Sequence, residues 1–192
     1  MERRSFLRDA ALASAGLYEL FATQAQAQTA VVPPTVHVVG AGQDRFGEHR
    51  TMGFDTLSFK VGMSDTDGRL FIVEHSHMMP GGPPLHMHPH QEEWFYVMEG
   101  EVAFQVGEQR VSLKPGESVL GPRAVPHTFS SVAATPSRML IAFCPAGEME
   151  MFFREVHDPH MSDPAIWRQY GVELIGPSPF WAQRSDPGRL PG

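Results

Sequence analysis

Residues 85–100 read Leu-His-Met-His-Pro-His-Gln-Glu-Glu-Trp-Phe-Tyr-Val-Met-Glu-Gly. Histidines 86, 88 and 90 and carboxylates 92 and 93 crowd the start of this stretch, and an aromatic, apolar run follows. Alternate side chains of a β-strand share a face. His86 and His88 therefore point one way and Met87 the other. In the following run Glu93, Phe95 and Val97 share one face, while Trp94, Tyr96 and Met98 take the opposite one. If the two strands are neighbours in a barrel, two imidazoles and one carboxylate converge inside it. A second segment, Pro-Gly-Glu-Ser-Val-Leu-Gly-Pro-Arg-Ala-Val-Pro-His-Thr-Phe-Ser at 115–130, turns at Pro115-Gly116 and again at Gly121-Pro122. It delivers His127 to the start of another strand. Three imidazoles and a carboxylate around one point suit one divalent ion, Fe, Mn, Ni, Co, Cu or Zn, and the ligand types alone do not choose among them. Such a set leaves coordination positions open, which a structural site would not need.

The rest of the chain agrees with a barrel or sandwich. Short strand-like runs alternate with Gly- and Pro-rich turns: 54–61, 69–74, 93–98, 101–106, 109–113, 118–120, 127–132 and 138–143. A further strand is possible at Thr35–Val39. After Pro145 the pattern changes. Met149, Phe152, Phe153 and Val156 fall at helical spacing within 147–156, a second short helix is expected over 164–170, and 172–175 reads as a returning strand before a Pro-rich tail. The expected organisation is residues 1–27 as a targeting segment, 28–53 as an N-terminal arm, 54–144 as an all-β barrel and 145–192 as a helical extension and tail.

Composition narrows the function. The 192 residues are 42% hydrophobic and 19% charged, as in globular proteins. A net charge of -7 argues against a nucleic-acid partner, because phosphate binding needs clustered Lys and Arg. Cys144 is the only cysteine, so no internal disulfide can form, and it is read as a small buried residue near a strand end. No stretch is long and apolar enough to span a membrane. The first residues, Met-Glu-Arg-Arg-Ser-Phe-Leu-Arg, lead into a small, weakly apolar run ending at Ala25-Gln26-Ala27. This resembles a twin-arginine export signal and implies a periplasmic or otherwise exported protein cleaved near Ala27. An amphipathic helix at an oligomer interface is the competing reading, and Glu19 within the apolar run favours it.

Both histidine segments resemble the paired motifs of the cupin superfamily. The first reads Gly81-Gly82-Pro83-Pro84-Leu85, His86-Met87-His88, four residues, Glu93, six residues and Gly100. The second reads Gly116, Pro122-Arg123-Ala124, His127 and Ser131, with 15 residues between Gly100 and Gly116. The sequence departs from the family pattern in a leading glycine one residue nearer the histidine, Ala124 for a turn glycine and Ser131 for asparagine. None of these touches a ligand. The resemblance covers roughly 54–144 and implies a double-stranded β-helix, the jelly-roll cupin barrel, with His86, His88, Glu93 and His127 as metal ligands.

Among small cupins the Gly-Gly-Pro-Pro-Leu-His lead, the Glu-Trp-Phe-Tyr-Val strand and the tail Tyr-Gly-Val-Glu-Leu-Ile-Gly-Pro are most similar to the quercetinase-like group. That implies a dioxygenase of a small enolisable or phenolic substrate, with dioxygen as the second reactant. Glu93, the one carboxylate among bound imidazoles, is expected to act as general base as well as ligand, against the alternative that it only completes the charge and geometry of the site. An exported binding module without turnover is the alternative. A sugar isomerase or epimerase is disfavoured, since Lys60 and Lys114 are the only lysines available to hold a phosphate. Phe95, Val97, Val102, Phe104, Val106 and Phe129 are expected inside, around a pocket for a flat aromatic ligand. Trp94 and Tyr96 are expected under a second sheet or at the contact of a homodimer. Glu92 is read as a solvated rim residue. His90 is read as an exposed loop residue or a donor behind the ligands. His75-Ser76-His77 repeats the His-x-His pattern without a following carboxylate and is read as a polar loop.

Overall fold

The computed structural model describes residues 35–155 and 163–181. The targeting segment 1–27, Val156 and the tail beyond Trp181 lie outside the described residues. The chain divides into two units, Met1–Val38 and Val39–Gly192. In the first, Thr35–Val38 are exposed and in no helix or strand, so the strand considered at Thr35–Val39 does not form.

In the second unit the sequence alternation sorts side chains onto two sheets. The strands are β1 (Arg50–Thr51), β2 (Thr56–Val61), β3 (Phe71–Met78), β4 (Leu85–Met87), β5 (Glu92–Glu99), β6 (Val102–Val106), β7 (Gln109–Leu113), β8 (Ser118–Gly121), β9 (His127–Ser131), β10 (Ser137–Cys144) and β11 (Glu173–Gly176). Six form one sheet in the order β1-β2-β3-β10-β5-β8, and five form the other in the order β11-β4-β9-β6-β7, with antiparallel pairing throughout. Non-consecutive neighbours in both sheets give the all-β jelly roll that the cupin resemblance implies, where the turn spacing alone pointed to a barrel or sandwich.

The space between the sheets is filled by inward rows. Leu57 and Phe59 on β2, Phe71 and Val73 on β3, Phe95 and Val97 on β5, and Met139, Ile141 and Phe143 on β10 are all buried. They face Val102 and Phe104 on β6 and Phe129 on β9, which are buried too. Burying each such side chain is worth roughly 1.5–3 kcal/mol. Val106 is only half-buried.

Two irregularities aim side chains. Ser137 pairs with Met78, but Met139 pairs with His75, so β3 carries an extra residue at Ser76–His77. His77 sits there at φ 53 and is exposed, and the bulge returns Met78 to the core side. The loop before β4 lies against β9: Thr128 Oγ1 donates to Pro83 O at 2.7 Å. Gly82 has φ +95, and a Cβ there would lie 1.8 Å from Phe129 O, so only glycine allows this approach.

Helix α1 (Met149–Glu155) and helix α2 (Pro164–Gln169) follow the last barrel strand. Asp163 caps α2 by accepting from Ala165 N at 2.8 Å, and Pro164 opens the helix, where no intrahelical donor is needed. Phe152, Phe153 and Trp167 turn inward onto the core, and β11 then pairs with β4, placing Leu174 opposite His86. No described helix is long and apolar enough to cross a membrane.

Several expectations change. Cys144 ends β10 as foreseen but on the outward face, and it is exposed. Trp94 and Tyr96 stack on each other at 5.7 Å and lie on the outer face of their sheet, Trp94 exposed, rather than under the other sheet. His75 is not in a polar loop. It is a buried residue of β3, because that strand runs on to Met78 instead of stopping at Glu74.

Candidate metal centre

His86, His88, Glu93 and His127 come together, with one ligand atom from each lying within 4.8 Å of all the others. All four are buried. The route differs from the one first expected. β4 and β5 are not neighbours: His86 and His127 are register partners in the five-stranded sheet, and Glu93 reaches them from the six-stranded sheet across the barrel. The cluster thus forms between the sheets, with ligands approaching from opposite walls.

Each imidazole is oriented from behind. His86 Nδ1 donates to Pro84 O at 2.9 Å and His127 Nδ1 to Val125 O at 2.9 Å. His88 Nδ1 faces Gln91 Oε1 at 3.1 Å. The Gln91 amide is fixed because its Nε2 donates to Pro145 O at 2.9 Å and Ala146 O at 2.6 Å. Its oxygen must then accept, so His88 Nδ1 carries the proton. With the Nδ1 protons committed outward, the Nε2 lone pairs converge on Glu93. Its Oε2 lies 2.7 Å from His127 Nε2, 3.0 Å from His88 Nε2 and 3.9 Å from His86 Nε2.

Lone pairs this close to a carboxylate oxygen repel unless a proton or a cation stands between them. The residues therefore fit a divalent ion, and the cluster could hold one. Carboxylate plus imidazole is the donor chemistry of first-row transition ions, and backbone and amide acceptors behind the rings are the usual outer support.

Protons report the same crowding. Burial and the neighbouring His127 and His88 push His86 down to about 3. Burial works to raise Glu93, but hydrogen bonds from His127 and His88 outweigh it and hold the carboxyl well below its usual range. Burial lowers His127, and the hydrogen bond to Glu93 outweighs it, giving a net rise.

The cluster opens on a cavity of about 650 Å³. His86, His88, Glu93 and His75 are the titratable residues lining it, and its other walls are mostly apolar, including Phe54, Phe129, Phe152 and Trp167. The aromatic wall extends to the ligands themselves, since Trp167 meets His86 at 5.6 Å and Phe143 meets His88 at 5.6 Å.

The remaining sequence candidates sit apart. Glu92 points away from the cluster and pairs with Arg123 through contacts of 2.5 and 2.6 Å. His90 is exposed. The side chain behind the ligands is instead Gln91, whose Oε1 accepts from His88 Nδ1 and which the sequence reading passed over. Its place between the second histidine and the glutamate was visible, but its partners Pro145 and Ala146 are distant in sequence and gave no signal.

Residues 74–143 match a protein family described as a cupin domain. The fold is a cupin fold. A cupin described as RmlC-like from Shewanella frigidimarina is 21% identical, with a TM-score of 0.50, over 60% of this chain and 96% of that one. A predicted oxalate decarboxylase from Thermotoga maritima is 14% identical, with a TM-score of 0.51, over 57% of this chain and 99% of that one. The KdgF protein of a Halomonas species is 14% identical, with a TM-score of 0.50, over 58% and 94%. At these identities the likeness speaks for the cupin fold alone. Comparison with curated proteins finds no match.

Ala124, which stands where the cupin motif has a turn glycine, adopts φ 59. The turn thus keeps the glycine conformation without the glycine, and Ala124 N donates to His88 O at 2.8 Å. Ser131, in the place of asparagine, is buried and shares a 2.8 Å hydrogen bond with Ser137.

Proposed function

We propose that this cupin is a metal-dependent dioxygenase of a small enolisable or phenolic substrate, with His86, His88, Glu93 and His127 as the ligands of one divalent ion. One observation carries the reading: a buried cluster of imidazoles and a carboxylate lies at the wall of a large, mainly apolar cavity. An apolar cavity admits a flat organic molecule and excludes bulk water. A divalent ion in the cluster would make a substrate hydroxyl more acidic. The Nδ1 atoms of the three histidines are committed to Pro84, Gln91 and Val125. Glu93 is therefore the group of the set free to take the substrate proton, and the electron-rich anion it leaves reacts with dioxygen.

The second reading is a binding module that uses the same cavity without turnover. The closeness of Glu93 Oε2 to His127 Nε2 and His88 Nε2, 2.7 and 3.0 Å, favours it, because a carboxylate engaged with the ligand set completes the charge and geometry of the site without acting as a base. Metal analysis of protein from its native compartment, followed by an oxygen-electrode screen of flavonols and other enolisable phenols, tests the activity. Glu93→Gln keeps the shape and removes the basicity, so turnover should fall by roughly a hundredfold with metal retained. Normal turnover in that variant removes Glu93 from the role of base, and no oxygen uptake by the wild type with any such substrate supports the binding module.

We also propose that the chain is exported by the twin-arginine route and acts as a homodimer through the outward face bearing Trp94 and Leu120. N-terminal sequencing of the native protein should begin just after Ala27, and an intact Met1 refutes the export. Sedimentation should give a dimer that Trp94→Arg dissociates, and a monomeric wild type refutes the assembly.

A further inference from the structure

A second polar feature lies in the same cavity, apart from the metal cluster. His75 on β3 is 1% exposed and lines the cavity wall. Its Nδ1 is 2.5 Å from Asp55 Oδ2, and that carboxylate lies just before β2 with its side chain fully buried. A carboxylate can only accept. The Nδ1 proton therefore faces Asp55, and the Nε2 lone pair is left over. Nε2 has no hydrogen-bond partner among the described residues, and neither has Asp55 Oδ1. The ring is held edge-on by Phe129 and Phe153, with centroids 6.2 and 5.7 Å away.

A pair serving the core alone would be better replaced by apolar groups of the same shape, which leave nothing unsatisfied. The dyad makes sense where a ligand supplies the missing donor. Its position sets the ligand's form. His75 is linked to His88 through Phe153 and Phe143, with successive ring centroids 5.7, 5.9 and 5.6 Å apart, and its Nε2 has no partner in the metal cluster. The dyad is thus a polar point distinct from the cluster, and a ligand that meets both has to extend past these rings.

We propose that His75, oriented by Asp55, is the second polar anchor of the cavity and accepts a hydrogen bond from a hydroxyl at the far end of an elongated, flat ligand whose other oxygen function sits at the metal cluster. This deepens the reading of the cavity given under Proposed function and rests on it for the metal end. Specificity follows from the asymmetry of the site: a ligand lacking the remote donor leaves a buried acceptor unmet, and that is where discrimination by hydrogen bonding is strong.

The test measures binding to the metal-loaded full chain under anaerobic conditions, with quercetin and with 3-hydroxyflavone, which lacks the remote hydroxyls. Wild type should hold quercetin roughly tenfold or more tighter, and in His75→Leu the ratio should fall towards one. Should the single variant fail to fold, the double variant Asp55→Leu/His75→Phe removes both partners together and leaves no buried charge. It should be at least as stable as wild type and show the same loss of preference. A quercetin preference that survives in a folded variant overturns the proposal, as does failure of the wild type to bind either flavonol. Binding that depends on His75 without oxygen uptake in air upholds the anchor and refutes the oxygenase reading.

Discussion

Gln91→Met isolates the support behind His88. Methionine fills a similar volume but removes the acceptor for His88 Nδ1 and the donor to Pro145 O and Ala146 O. The lost hydrogen bonds act on two different quantities. For folding, Gln91 is 4% exposed, so its former partners are left in a water-poor setting. An unsatisfied buried polar group costs about 1–3 kcal/mol, and carbonyls with a second lone pair fall at the low end, so a loss of about 3 kcal/mol in the metal-free protein is expected. For binding, His88 loses the contact that fixes its tautomer and ring plane. Removing such a partner weakens metal affinity by roughly 10–100-fold. Urea unfolding of the metal-free protein measures the first quantity, and competition against a chelator measures the second. A Gln91→Met protein that loses stability yet binds metal as tightly as wild type refutes the orienting role. Gly147→Ala provides an independent approach, since a Cβ there would lie 2.5 Å from Gln91 Nε2 on a backbone at φ +52. It should weaken metal binding in the same direction with the Gln91 side chain still present.

Gly121→Ala places a Cβ 3.1 Å from His127 Nδ1 and 3.3 Å from Glu93 O at an ordinary backbone angle, so metal affinity should fall more than stability does; equal affinity by chelator competition refutes this. Ala124→Gly relieves a left-handed alanine and should stabilise the protein by about 0.5–1 kcal/mol after the entropy of glycine is subtracted, measured by thermal unfolding; destabilisation refutes the assignment of strain. Asp44, 3% exposed in its side chain, binds Arg50 at 2.8 Å and accepts from Phe59 N at 2.7 Å. Burial works to raise its carboxyl, but the hydrogen bonds from Phe59, Phe46 and Glu48, together with Arg50, outweigh it and lower it. Its stabilisation is therefore complete above its unfolded value, near pH 4, and is lost as pH falls through the lower folded value. Asp44→Asn should cost about 3 kcal/mol at neutral pH, with the gap to wild type closing in acid; a gap that is constant with pH refutes the charge contribution.

The stretch 85–100 was sufficient to place three of the four cluster residues, because strand alternation is a local property with a period of two. It put His86 and His88 on one side and Glu93 with Phe95 and Val97 inward, as the burial of all five shows. His127 was found the same way, from turn residues that fix where its strand begins. The strands 109–113 and 118–120 were legible from the turn residues that bound them, and the helices after Pro145 were legible from apolar spacing.

What alternation cannot supply is the identity of the strand across the barrel. β4 and β5 follow each other in the chain yet lie in different sheets, so the cluster forms by closure of the barrel rather than by pairing of neighbours. The same holds for Gln91, whose partners lie more than fifty residues away, and for His75, which depends on a bulge that extends β3 and on Asp55 twenty residues earlier. Local sequence determines which way a side chain faces along its own strand. Only long-range packing decides what it meets, because loop closure can bring many distant segments together and burial of the whole core selects one of them.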